Sequence, residues 1–245
     1  MIKLLSFVIF SIATFMVYET SQGQPSDAAT KESAAEEIVK ETITKSEAMP
    51  THTTDEQSAE MAQLPVTISE FDPIMRKVGQ EQGHDWRLMS AIAYNETRFR
   101  EDLVSKRGAV GIMQIRPVVA RHFNIPEEQL ADTETNVRIA AMLLSELEGL
   151  LKLPASTPND DRLSIILASY NAGIGHVHDA CRLARSEGAD PHSWENISRY
   201  LELMSTPEYY NREEVRHGKF NGSRQTLGYV REVMKVYHEY CTIAS

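Results

Sequence analysis

From about Ile68 to the C-terminus the apolar residues recur every third or fourth position, and stretches that alternate polar and apolar residues over strand length are scarce. A chain patterned this way buries helix faces against one another. The fold class is therefore mainly α, with short connections. The spacing predicts helices over Glu70–Gln82, Trp86–Glu96, Arg116–Phe123, Glu134–Leu151, Arg162–Tyr170, Gly175–Glu187, Trp194–Leu203 and Gln225–Tyr240. Asp85, Asp132, Ser193 and Ser223 stand where side chains that cap helix N-termini are expected. Residues 68–245 are the right size for one domain.

The preceding chain is of another kind. Met1-Ile2-Lys3 is short and basic, and an apolar run from Leu4 to Tyr18 follows. That run suits the core of an export signal and is short for a bilayer span of roughly 20 residues. Small residues at Ser21 and Gly23 offer a weak cleavage site, so residues 1–23 read as a signal peptide or an N-terminal anchor. Residues 24–66 contain no Phe, Trp, Tyr or Gly, and nine acids against three lysines. Such a stretch buries too little apolar surface to offset its ordering entropy, so 24–67 is expected to be an acidic flexible linker. The chain is expected to be exported to the periplasm or cell envelope, with a possible membrane tether through its N-terminus. A net charge of -10 argues against sequence-independent nucleic-acid binding, which needs basic surface to displace counterions.

The chemistry-bearing residues cluster between 86 and 173. Trp86–Glu96 reads as a largely buried helix with a carboxylate in its last turn. Burial and the negative end of the helix dipole both disfavour the charged form, which keeps Glu96 protonated near neutral pH, as a general acid must be. A glutamate paired with Arg98 or Arg100 is the plainer alternative. Within twenty residues comes Ser105-Lys-Arg-Gly-Ala-Val-Gly-Ile-Met-Gln-Ile115. Gly108 and Gly111 permit positive φ or a close approach, and Gln114 is an amide among apolar neighbours that must find partners. Ala168-Ser-Tyr-Asn-Ala-Gly173 then places Tyr170 and Asn171 at the end of a helix.

In this order the motifs resemble those of the lytic transglycosylases with the goose-type lysozyme fold. The pattern Glu-Ser-x-Phe, Gly-Leu-Met-Gln, Ala-Tyr-Asn-Ala-Gly and a late tyrosine appears here as Glu96-Thr-Arg-Phe99, Gly111-Ile-Met-Gln114, Ser169-Tyr-Asn-Ala-Gly173 and Tyr229. The resemblance covers roughly Phe71 to Tyr240. It looks closest to a branch in which a solute-binding-protein-like domain precedes the catalytic half. It implies a single lysozyme-like helical catalytic domain acting on peptidoglycan glycan strands without a cofactor. Glu96 would be the sole acid/base, protonating the oxygen between N-acetylmuramic acid and N-acetylglucosamine. It would then take the proton of the sugar 6-hydroxyl, leaving a 1,6-anhydromuramoyl end. Ser105, Met113, Gln114, Tyr170, Asn171 and Tyr229 would line the substrate cleft: Ser105 and Gln114 on N-acetyl or hydroxyl groups, Met113 against a sugar face or equally in the core, Tyr170 near Glu96, and Tyr229 on the cleft floor, with core packing its alternative.

Thr97 departs from the usual Ser, and Gln225 stands beside Thr226 where relatives often show an acid. Glu101 and Asp102, the nearest carboxylates to Glu96 in sequence, read as solvated. One of them binding a water would give a lysozyme-type hydrolase instead; a non-catalytic glycan-binding envelope protein is the alternative outside enzymes. His176 and His178 are two apart, do not share a helix face, and have no accompanying ligand set, so no metal is expected. Cys181 and Cys241 either bridge or remain free thiols.

Overall fold

In the computed structural model the described residues are 66–244. The signal or anchor segment 1–23 and nearly all of the expected linker lie outside them. The domain begins with a turn in which Asp72 accepts from the backbone N–H groups of Ile68 (2.8 Å) and Ser69 (3.0 Å). Helix α1, Asp72–Gln82, starts there, two residues later than the spacing predicts, because Pro73 fixes its first turn. Gly83, at φ 76°, ends it. Helix α2, Trp86–Thr97, is capped by Asp85, whose side chain accepts from the Arg87 N–H at 2.9 Å.

A loop then leads through two isolated antiparallel bridges, Val104 with Val110 and Val110 with Ile115. The short helix α3, Pro117–His122, and a 3-10 turn, Glu127–Ala131, lead to α4, Thr133–Leu151, capped by Asp132 through the Thr135 N–H. Helices α5, Asn159–Ala172, and α6, Ile174–Ser186, are separated by Gly173. Helices α7, Trp194–Leu203, α8, Pro207–Tyr210, and α9, Ser223–Ile243, complete the order. All are helical, and no strand occurs among the described residues beyond the two bridges.

Helix α5 is the axis of the domain. Every residue from Ser164 to Ala172 is buried, so it has no solvent face, as expected of a helix surrounded by others. It packs against α4, α6, α7 and α9. Helix α2 lies between α1 and α9, and α1 also rests on α4. The C-terminal ends of α2 and α5, one face of α9 and residues 110–115 therefore converge.

The structure corrects several sequence expectations. Helix α5 starts at Asn159 rather than Arg162, because Pro158 supplies the turn into it. Ser223 is the first residue of α9, with Gly222 at the cap position, and Ser193 makes no capping bond with its side chain. The 3-10 turn and α8 went unpredicted: at five and four residues they carry no periodicity. Cys181 and Cys241 are free thiols, the first buried and the second half-buried.

Candidate active site

Helix α2 stops abruptly after Glu96 and Thr97. Arg98 and Phe99 both adopt left-handed backbone, at φ 56° and 62°. Phe99 turns back onto Phe71 and Tyr94, with ring centroids 6.4 and 5.8 Å apart. The Arg98 guanidinium lies over the Tyr94 ring at 4.0 Å, and Arg100 Nε donates to the Thr97 carbonyl at 3.1 Å. Neither arginine pairs with Glu96. The glutamate keeps part of its surface exposed, yet Oε1 is shut off from solvent and has no hydrogen-bond partner. Desolvation raises its pKa from 4.5 to about 8, opposed by the Tyr229 hydroxyl that faces it. The negative end of α2 acts in the same direction as burial.

Two tyrosines adjoin the carboxyl. Tyr170, wholly buried in α5, donates from its hydroxyl to the Met113 carbonyl at 3.0 Å. Tyr229, on α9, has a buried Oη without a partner in hydrogen-bonding geometry. Burial, and then the charge on Glu96, push both phenols well above their ordinary value. The structure therefore gathers Glu96, Tyr170 and Tyr229 from three helices.

The other expected cleft residues are largely committed to the chain itself. Asn171, buried, accepts from the Thr226 hydroxyl at 2.9 Å and so ties α5 to α9. Ser105 accepts from the Ala109 N–H at 2.9 Å and closes its own loop, but stays half-exposed. Gln114 adopts left-handed backbone at φ 50° and is 1% exposed. Its Nε2 donates to the carbonyls of Gly111 (2.9 Å) and Leu103 (3.2 Å), so this end of the amide faces the chain and not a sugar. Met113 is 0% exposed and packs in the core.

Sequence reasoning missed Asn136. This α4 residue is fully buried. Its Oδ1 accepts from the Met113 N–H at 2.9 Å, and its Nδ2 donates to the carbonyls of Val110 (2.9 Å) and Leu130 (3.0 Å). Thr97, also buried, donates to the Ile112 carbonyl at 3.1 Å. Glu101 and Asp102 are exposed; Glu101 accepts from the Thr133 hydroxyl, and no second carboxylate acts on the ionisation of Glu96.

The chain was compared with known proteins. It is 32% identical over 170 residues to the membrane-bound lytic murein transglycosylase F of Marinobacter nauticus, covering 69% of this chain and 32% of that protein. To the protein of the same name from Shewanella loihica it is 35% identical over 153 residues, 62% of this chain and 31% of that one. The chain thus spans about a third of the length of the curated relatives it matches. Among solved structures, an inactive variant of the lytic transglycosylase Slt from Pseudomonas aeruginosa superposes with a TM-score of 0.43 at 20% identity, over 77% of this chain and 28% of that one. Residues 73–192, from α1 to just before α7 and including Glu96, Gln114 and Tyr170, match the family model of the transglycosylase SLT domain. Residues 73–192 of this chain therefore match the transglycosylase SLT family.

Proposed function

We propose that this domain cleaves the β-1,4 bond between N-acetylmuramic acid and N-acetylglucosamine in peptidoglycan without water, leaving a 1,6-anhydromuramoyl end. The observation that carries the reading is Glu96: an enclosed carboxyl, free of any counter-ion, with a pKa of about 8. At neutral pH it holds a proton and can deliver it to the glycosidic oxygen. The resulting carboxylate is desolvated and strongly basic. It recovers a proton from the 6-hydroxyl as that oxygen closes on the anomeric carbon. A hydrolase of the usual two-carboxylate kind needs a second acid across the bond. Glu101 and Asp102 are the nearest in sequence, and both lie exposed. Tyr170 and Tyr229 hold the carboxyl's surroundings dry, and Ser105 retains the exposed surface to meet substrate. The relatives named membrane-bound lytic murein transglycosylase F support the same substrate and a place in the cell envelope. Among the described residues no helix is long and apolar enough to cross a membrane.

The test is digestion of purified peptidoglycan by the full chain and by Glu96→Gln, with products resolved by mass spectrometry. Anhydro ends, lighter by one water than reducing ends, are expected from the wild type and none from the variant. Activity of the wild type should fall as pH rises through about 8, where the acid loses its proton. Reducing ends alone would reject the anhydro reaction and favour a hydrolase. Turnover surviving Glu96→Gln would remove the glutamate from its role.

A further inference from the structure

Residues 110–115 lie beside the C-terminal end of α2, where Thr97 follows Glu96, and are held from three helices. From α2, Thr97 donates to the Ile112 carbonyl. From α5, Tyr170 donates to the Met113 carbonyl. From α4, Asn136 takes the Met113 N–H and gives both amide hydrogens, one to Val110 and one to Leu130. Asn136 is the only one of the three that bonds two residues of the turn, Val110 and Met113. It is 0% exposed, and its amide lies flat against Gly111: a Cβ built there would come within 2.6 Å of Nδ2. The Met113 peptide unit is thus fixed on its N–H side by Asn136 and on its carbonyl side by Tyr170, the phenol that adjoins Glu96.

We propose that Asn136 is a positioning residue for the Glu96 carboxyl, acting by holding residues 110–115 against the carboxyl so that water stays out. Asn136 touches no substrate. Its effect passes through the Met113 peptide to Tyr170, and along the turn to the Ile112–Thr97 contact beside Glu96. Without the two bonds to Val110 and Met113 the turn loses its hold on α4, and water gains access to the carboxyl. A hydrated carboxyl releases its proton at lower pH and is no longer charged with a proton when substrate binds. The consequence for turnover rests on Glu96 being the acid of the proposed reaction; the consequence for its ionisation does not.

Two readouts on the full chain separate these. The carboxyl infrared band of Glu96, isolated by difference against the same protein carrying Glu96→Gln, is titrated in the wild type, Asn136→Ala and Asn136→Asp. The aspartate keeps the shape and the acceptor for Met113 while losing both donated hydrogens, so the test survives if the alanine variant fails to fold. Glu96 is expected to titrate lower by about 1 unit or more in the folded variants. Kinetics on peptidoglycan at pH 7 should show kcat down about twofold for a shift of about 1 unit and about tenfold for about 2, with KM changed less, because the loss is of proton delivery and not of binding. Leu201→Ala, a core truncation in α7, controls for general loosening: it should lower the melting temperature and leave the Glu96 band in place. A titration in Asn136→Asp that matches the wild type, or an equal shift in Leu201→Ala, overturns the proposal. A wild type that yields no anhydro ends would sink the functional reading and leave the infrared test standing.

Discussion

Gly108 and Gly111 share the same backbone angle, φ 76°, and differ in what surrounds them. Alanine at either position must adopt left-handed backbone, which costs about 1–2 kcal/mol. At Gly108 nothing lies within 4 Å of the new Cβ, so that cost is the whole effect. At Gly111 the Cβ would sit 2.6 Å from Nδ2, 2.7 Å from Cγ and 2.9 Å from Oδ1 of Asn136. The amide cannot simply rotate away, since its three bonds of 2.9, 2.9 and 3.0 Å all run to backbone groups, those of Met113 and Leu130 buried. Breaking or stretching them adds roughly 1 kcal/mol each, or about 3 kcal/mol beyond the backbone strain. For a domain of this size that difference separates the two melting temperatures by about 6–12 °C. Thermal and urea unfolding of Gly108→Ala and Gly111→Ala beside the wild type measures it directly. Equal losses in the two variants would refute the view that Asn136 is locked against Gly111, and with it the rigidity claimed for residues 110–115.

Glu96→Gln should change stability in a pH-dependent way. The unfolded carboxyl ionises near 4.5 and the native one at about 8, so between these values the native protein keeps a proton that the unfolded chain has released. Wild-type stability is unpenalised below pH 4.5 and falls as pH rises to about 8. The glutamine variant does not titrate here, so its advantage in urea unfolding should grow from pH 5 to pH 8.5; a constant or shrinking advantage contradicts the raised pKa. Tyr229→Phe removes the hydroxyl that opposes the rise in Glu96, so the alkaline fall in activity should move to higher pH. The hydroxyl faces the carboxyl without good hydrogen-bonding geometry, so its interaction is weak and the melting temperature should change little; a clear drop would show a well-formed bond. Thiol counting in denaturant without reductant should find both Cys181 and Cys241 reactive. In the native protein Cys181 should react slowly, since burial pushes its thiol up to about 11; no titre in denaturant would indicate a bridge.

What the sequence reveals here depends on how local the causes are. Asp85 and Asp132 are legible as caps because the amides they accept from are two and three residues away. The long helices are legible because each carries several turns of periodicity. The unmet hydrogen-bonding demand of Gln114 is also legible, but not its answer: the carbonyls it reaches belong to its own loop, and left-handed backbone at Gln114 turns the side chain inward. Met113 reads equally well as core or as sugar platform, and only the packing of α4 and α5 around it decides. Asn136 leaves no trace at all. An asparagine within a helical run resembles a solvent-facing residue until the fold brings Met113, 23 positions away in sequence, against it.

The same distinction explains why the carboxyl stands apart from its surroundings. Around Glu96 the buried polar groups of Thr97, Asn136, Tyr170, Asn171 and Thr226 all have partners. Glu96 Oε1 and Tyr229 Oη do not. Each buried unpartnered group costs about 1–3 kcal/mol, against a total stability of roughly 5–15 kcal/mol for an ordinary domain. Simple substitutions such as Gln or Phe would ease that cost, and a residue able to pair with Glu96 would cancel it by drawing the pKa back toward 4.5. The second remedy would end proton donation at neutral pH, because a paired carboxylate has no proton to give. The unpaired state is thus a requirement of the proposed reaction. The well-bonded residues around it supply the rigidity that keeps water from satisfying it.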